Sequence, residues 1–469
     1  MNHKRRRLAI GVVGLVLIAT IVAGMTHATR MVSVGVAYKA KMLCSEVFVA
    51  GRDPREVLAD LEVDDLALLR YVTVSIDPNS KSVTTTALGI IKRQAVYHED
   101  LGCTLLFDGL APTGLHSGHG DSAARAGTRS QGLDGPLGPR ATIENGERER
   151  LQTILDRAFA EPNPLRKRRT RAVVIVHKGH MVAEQYATGV GPEMPLIGWS
   201  MTKSVMNALA GVLVKEGRLS LDGLVPIPEW QTPGDPRGHI TLDQLLRMSS
   251  GLRFDEDMTY PLADVMRMLL GVADMATYAT TKELEATPGT KWQYSSGTSN
   301  IIARIMRNVL KDDREYLTFP RRALFDRIGM TGAVLETDAA GTFVGSSFMY
   351  ATARDWARFG LLYLQDGVWD GQRILPEGWV AYTRLPAPAD PRRRYGAHFW
   401  LDVPDEYRAT DGSLPNDAFH AVGHEGQFVT VVPSCETVIV RLGLTRYADA
   451  WDHAAFVREV LAALGCVRE

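Results

Sequence analysis

Gly198-Trp-Ser-Met-Thr-Lys-Ser-Val-Met-Asn-Ala208 opens an apolar helical pattern with Ser200 and Lys203 at its head. The Ser-x-x-Lys spacing puts a hydroxyl and an amine on one helix face, close enough to hydrogen-bond. Serine is a weak nucleophile at its free pKa and needs a neighbouring base. Lysine can be that base only where burial or another cation keeps it partly neutral. Taken alone, such a pair is more often a helix cap beside a solvated lysine, so the reading depends on what surrounds it. The helix itself is well signalled. Val205, Leu209, Val212 and Leu213 make a stripe for burial, Gly217 stands just past the end, and Ala208, Ala210 and Gly211 allow close packing.

Outward from this helix the pattern changes in a definite order. Ala172-Val-Val-Ile-Val-His177 and Met181-Val-Ala-Glu-Gln-Tyr186 flank a Lys-Gly-His turn and predict an antiparallel hairpin. A helix over Leu151–Phe159 precedes it. Helical stretches follow at Thr241–Arg247, Leu262–Leu270, Ser299–Leu310 and Thr352–Leu364, the last headed by a capping pattern, Thr352-Ala-Arg-Asp355. Strand patterns return at Ala397–Leu401, Phe428–Val432 and Thr437–Leu442, and a closing helix spans Ala450–Leu464. The order predicts an α+β fold, an antiparallel sheet flanked by helices in which the first and last parts share one sheet.

The region before residue 147 reads differently. Lys4, Arg5, Arg6 and Arg7 precede an uncharged apolar run from Leu8 to Gly24. Its length is the short end of a membrane span and long for a signal-peptide core. Thr26-His-Ala28 is a mediocre cleavage site and apolar character resumes from Met31, so an anchor is favoured over a cleaved signal. The basic cluster assigns the N-terminus to the cytoplasm and the rest to the far side. Residues 1–30 are thus expected as a membrane segment and 31–110 as a small accessory region. A Gly- and Ser-rich linker over 111–146 and the main domain over 147–469 complete the chain. In the accessory region Pro54–Leu69 reads as a helix, and Tyr71–Ser75 with Ser82–Leu88 as a hairpin. Within the linker, His116-Ser-Gly-His-Gly-Asp121 offers metal-ligating residue types in too loose a setting to hold an ion. Four cysteines in an exported protein allow three pairings, of which the local one, Cys44 with Cys103 and Cys435 with Cys466, is expected. A formal net charge of −1 gives no electrostatic case for nucleic acid, and 45% hydrophobic with 23% charged residues is an ordinary globular composition.

Three stretches then line up: Ser200-Met-Thr-Lys203, Tyr294-Ser-Ser296 and His424-Glu-Gly426. In order and spacing they resemble the serine β-lactamase and penicillin-binding-protein superfamily. The similarity is to the branch of class C β-lactamases, family VIII esterases and 6-aminohexanoate-dimer hydrolases. Leu219-Ser-Leu-Asp222, Leu245-Leu-Arg-Met-Ser-Ser-Gly-Leu252 and Thr287-Pro-Gly289 support the likeness, which covers about residues 165–465. The resemblance implies that Ser200 attacks a carbonyl and carries the acyl group. Lys203 and Tyr294 would act as a coupled base, with the phenol's pKa falling beside the lysine. The oxyanion would sit between the backbone N–H groups of Ser200, at a helix N-terminus, and Gln427. Gly426 would let substrate approach that backbone closely. No metal or cofactor is called for. An α/β-hydrolase elbow is excluded because Thr202 stands where its second glycine is needed.

Two positions bear on substrate. Ser296 stands where the β-lactamases of this family carry an asparagine that contacts substrate. His424 and Glu425 replace a lysine and a small hydroxyl residue. Histidine is mostly neutral at pH 7, and a Glu425 carboxylate facing the cleft would repel an anionic substrate. The expectation is therefore a hydrolase of esters or small amides, including 6-aminohexanoate-like oligomers. The alternatives are a weak β-lactamase or D-amino-acid peptidase, and a catalytically silent scaffold.

Overall fold

A computed structural model of the chain describes residues 3–107, 144–410 and 412–467. Helix α1 (His3–Phe48) runs unbroken for 46 residues, straight through the boundary expected at residue 30. Its apolar side chains are exposed from Val12 to Met25 and buried from Val34 onward. By length and composition it is a helix able to cross a membrane. Helix α2 (Pro54–Leu61) is capped by Asp53, whose carboxylate accepts the Arg55 N–H at 2.7 Å. The helix expected to continue to Leu69 stops there. Glu62 turns to Lys39 at 2.7 Å, Asp64 adopts φ 53° to pair with Arg169 at 2.6 Å, and a 3-10 turn completes Asp64–Tyr71.

The hairpin read from the sequence is β1 (Thr73–Asp77) and β2 (Ser82–Ala87). It extends into β3 (Ile91–His98) and β4 (Gly102–Leu106), which the sequence reading missed, to make a four-stranded antiparallel meander. This sheet lies against the second half of α1, to which the Cys44–Cys103 disulfide ties it. The expected partner bond, Cys435–Cys466, also forms. The His116–Asp121 stretch lies outside the described residues.

The main domain begins with α3 (Asn145–Phe159), opened by a Glu144–Glu147 capping box. Strands β5 (Thr170–His177) and β6 (His180–Tyr186) form the predicted hairpin. Four helices then matter for the site: α4 (Met201–Lys215), α5 (Asp264–Gly271), α6 (Ser296–Leu310) and α7 (Ala353–Leu364). The Thr352 cap forms as read, its hydroxyl taking the Asp355 N–H at 3.0 Å. Strands β7 (Phe419–Gly423), β8 (Gln427–Val432) and β9 (Thr437–Gly443) and helix α8 (His453–Ala463) close the chain. The sheet order is β7-β8-β9-β5-β6, antiparallel throughout, so the first and last parts do share it. Successive strand residues face opposite sides. Val174, Val176, Val429, Val438 and Val440 join the larger core under α4 and α7, while Val173, Ile175, Phe428 and Ile439 join a second core under α3 and α8. Accessory residues such as Ala37, Leu43, Val83 and Ala95 belong to the larger core too.

One expected strand is not regular. In Ala397–Leu401 only Trp400 joins the sheet, bridging His420 by two hydrogen bonds of 2.7 and 2.9 Å. His398 takes φ 56° and turns its ring onto α4, 2.8 Å from the Lys203 carbonyl. The edge place goes to β7.

Candidate active site

Helix α4 is buried on every side from Met201 to Leu213, so it is the axis of the larger core and not a surface helix. Ser200 stands at its N-terminus without a side-chain capping bond, and the Ser200 N–H meets no main-chain acceptor among the described residues. The two residues before it are tightly specified. A Cβ on Gly198 would stand 2.4 Å from the Trp356 ring. Trp199 has φ 47°, a left-handed conformation that a bulky side chain rarely adopts.

Lys203 is buried and donates to three oxygens, Ser200 Oγ at 2.9 Å, Ser346 O at 3.0 Å and Ser296 Oγ at 3.1 Å. None of the three carries charge. Burial therefore pulls its pKa down to about 8, against the opposing pull of the Glu256 carboxylate. Glu256 itself accepts the Ser296 N–H at 2.8 Å and the Ser296 hydroxyl. Burial lifts its pKa, with Lys203 and Ser296 working the other way.

Tyr294 has its ring 4.8 Å from Lys203 Nζ and its hydroxyl hydrogen-bonded with Ser200. It stacks on Trp400 at 5.7 Å and meets Tyr395 edge-on at 5.9 Å. The expected fall in its pKa is reversed. Burial raises the phenol above its ordinary value, Glu256 adds to the rise, and only the Ser200 hydrogen bond works against them.

The His-Glu-Gly turn departs further from expectation. His424 is exposed, its ring edge-on to Trp199, the residue before Ser200, at 5.7 Å. Glu425 is not in the cleft. At φ 63° its carboxylate points inward, accepts the Trp199 indole N–H at 3.1 Å and forms a buried ion pair with Arg446. Gly426 is also required by its own surroundings. It has φ 79°, and a Cβ there would stand 2.2 Å from the Arg441 guanidinium that binds its carbonyl. Gln427 opens β8 with its side chain buried. It donates to the His424 and Gly443 carbonyls at 3.1 and 2.7 Å and accepts the Gly443 N–H at 2.9 Å, which fixes the turn. Ser296 is likewise engaged, bridging Lys203 and Glu256.

Ser200, Lys203, Tyr294 and Ser296 thus meet in one place, His424 stands at its edge, and Glu425 is turned away. Sequence reasoning missed Glu256, the Ser346 carbonyl, Trp400 and Arg446. A cavity of about 600 Å³ opens beside Tyr294 and Glu256, flanked by Arg253, Asp255 and Arg267. A larger one, about 1140 Å³, lies between α3 and α8 at the Cys435–Cys466 bond and holds none of these groups.

The Beta-lactamase family model matches residues 155–462. The 6-aminohexanoate-dimer hydrolase of Paenarthrobacter ureafaciens is 25% identical over 291 residues, 58% of this chain and 72% of that protein. A solved structure from Bacillus anthracis, named as a candidate 6-aminohexanoate-dimer hydrolase, superposes with a TM-score of 0.56 at 21% identity. It covers 71% of this chain and 88% of its own. A penicillin-binding-protein homologue from Caulobacter crescentus gives 0.54 at 16% identity, over 70% and 99%. At those identities the two structures speak to the fold.

Proposed function

The chain belongs to the beta-lactamase family of hydrolases, and from that premise we propose that it cleaves esters or small amides through an acyl-enzyme on Ser200. Linear 6-aminohexanoate-like oligomers are the first substrates to try, because the Paenarthrobacter relative is named for such a dimer. The observation that carries the reading is the Lys203 amine, 2.9 Å from Ser200 Oγ with its pKa drawn to about 8. In its neutral form the amine takes the serine proton as Oγ bonds to the carbonyl carbon. The N–H groups of Ser200 and Gln427 would receive the oxyanion. Collapse expels the alcohol or amine, protonated from the Lys203–Tyr294 pair, and water then attacks the acyl carbon with that pair as base. Tyr294, held above its usual pKa, stays a phenol and serves better as donor than as acceptor.

Anchoring by α1, with the Lys4–Arg7 cluster in the cytoplasm and the catalytic domain beyond the membrane, is part of the same proposal. One observation favours a second substrate class. With Glu425 paired to Arg446, the carboxylate that would have repelled an anionic substrate is withdrawn, so β-lactams and D-amino-acid peptides are the second reading.

Intact mass after a fluorophosphonate tests the nucleophile. A single adduct, lost in Ser200→Ala, is expected; folded protein that takes none is a silent scaffold. Turnover of short p-nitrophenyl esters or the linear aminohexanoate dimer, without turnover of a chromogenic cephalosporin, is the expected ranking. Faster cephalosporin hydrolysis would give the second reading first place.

A further inference from the structure

Single apolar side chains in water are ordinary, whereas several grouped on one surface mark an interaction site. Outside α1, Leu68, Tyr71, Leu88 and Ile90 are 77, 74, 80 and 81% exposed, and Leu165, Leu224, Tyr260 and Leu385 are exposed elsewhere, on the main domain. The first four do not lie apart. Leu68 and Tyr71 are on the turn Asp64–Tyr71, and Leu88 and Ile90 form the β2–β3 connection. Between these two segments, Leu69, Val72, Ala87 and Ile91 pack around Val36 of α1. The four exposed residues therefore form a collar around α1 where it enters the fold. Leu88 is also an unusual choice for its place. Leu88 and Gly89 have φ of 53° and 72°, where glycine, asparagine or aspartate is the ordinary occupant.

The height of the collar along α1 can be read from two ties. Cys44 is bonded to Cys103, which pairs with Tyr97 of β3. Ser33 accepts the Arg93 guanidinium at 2.6 Å. Going from Tyr97 to Arg93 along β3 therefore accompanies Cys44 to Ser33 along α1, and the strand continues the same way into Leu88–Ile90. At about 3.3 Å per strand residue the turn lies about 10 Å beyond Arg93. At about 1.5 Å per helical residue that is level with about Thr26 of α1 counted from Ser33, and with about Thr29 counted from Val36, whose carbonyl accepts the hydroxyl of Thr85, the strand partner of Arg93. There the exposed apolar run of α1 ends and polar Thr26, His27, Thr29 and Arg30 begin. The composition is that of a bilayer interface, and exposed Arg30, Arg70 and Lys92 stand near the collar with charges suited to lipid phosphates.

We propose that this collar is a membrane-seating surface, in which Leu68, Tyr71, Leu88 and Ile90 enter the interfacial layer of the same bilayer that α1 crosses. The proposal rests on the anchor reading. α1 fixes the chain to the membrane, and the collar fixes how the domain stands on it. Because the meander is bonded to the main domain through Glu336 and Thr337, the seat sets the orientation of the cleft as well.

The test uses the full chain reconstituted into phosphatidylethanolamine–phosphatidylglycerol vesicles whose acyl chains carry bromine near the headgroup. Ile90→Trp and Leu88→Trp should each add emission that the brominated lipid quenches, beyond the loss seen with the native tryptophans. Leu385→Trp, at an exposed apolar site of the main domain, should add emission that is not quenched. If Ile90→Trp and Leu88→Trp are quenched no more than Leu385→Trp while the chain resists alkaline carbonate extraction, the seat is wrong, the anchor stands, and the collar is left to a protein partner. Release of the chain by carbonate would overturn both.

Discussion

Lys203 gives its protons to three neutral oxygens and has no carboxylate in direct contact, an arrangement that holds an amine close to losing its charge. If the neutral form is the base, kcat/KM for an ester should rise about tenfold per pH unit below about pH 8 and level off above it. A pH–rate profile checks this, and a flat profile from pH 6 to pH 9 (roughly) would remove Lys203 from the proton path. Glu256 tunes the same group. Its charge raises the lysine's pKa, so Glu256→Gln should move the limb to lower pH and leave more enzyme active near neutrality. A variant that loses rate at all pH values with the limb unmoved would make Glu256 a mere support for Ser296. Spacing made Ser200, Lys203 and Tyr294 legible in the sequence, because a helix and a following motif fix them relative to one another. Glu256 was not, since a lone carboxylate in a loop has no pattern around it. The direction of the Tyr294 shift was misjudged for a related reason. Neighbouring charges can be guessed from motifs, whereas the burial that outweighs them cannot.

The turn before Ser200 and the His-Glu-Gly turn are joined as one element. Trp199 and Glu425 are both in left-handed backbone, and the Trp199 indole, the Glu425 carboxylate and the Arg446 guanidinium join them. Arg446 also reaches the Asp60 carbonyl at 3.3 Å, and Asp60 pairs with Arg52 at 2.7 Å and with Arg171. The accessory helix α2 is thus two residues away from the peptide that positions Ser200. Removing one partner of a buried pair strands the other charge, so Arg446→Met should cost about 3–5 kcal/mol in urea unfolding, and Glu425→Gln on the same chain should restore part of it. A loss under about 1 kcal/mol would mean the pair is solvated in solution. None of this was visible beforehand, because Arg446 and Glu425 are linked only by the fold. The elements with strong periodicity, α4, α7, β5 and β8, were read correctly, and short β7 was lost to the Ala397–Leu401 stretch.

At the scale of the molecule, the N-terminal region is a structural part of the catalytic domain. Lys41 and Glu336 form a buried ion pair across the junction, with the Ser45 hydroxyl and the Cys103 N–H also on Glu336 at 2.8 and 2.7 Å. The order of hairpin, helices and strands sufficed to read the architecture. The docking of the N-terminal region was not readable, since every contact that makes it joins residues far apart in sequence. The two cores also take in histidines, His398 against α4 and His420 with His453 beside Phe428. His398 and His420 have pKa values lowered to about 3 by burial, and His453 falls well below the usual value. His398 and His453 are satisfied as neutral rings, the first by the Lys203 carbonyl and Ser299, the second by Thr430 at 2.8 Å and the Trp451 indole at 3.3 Å. His420 meets Thr430 at 2.9 Å through Nδ1, and its buried Nε2 has no partner among the described residues. The unfolded chain binds these protons from its ordinary value of 6.5 downward, and the folded one does not until near 3. The unfolded state therefore holds more protons in that window, and stability must fall as the pH falls through it. At about pH 5 the cost is about 2 kcal/mol for each histidine. Urea midpoints taken at about pH 7.5 and about pH 5 should drop accordingly. His398→Gln, which cannot titrate, should be less stable than the parent at the higher pH, with the gap narrowing by about 2 kcal/mol at the lower. A gap that stays constant would mean that the His398 ring titrates alike in the folded and unfolded chain, and that its burial carries no protonation cost.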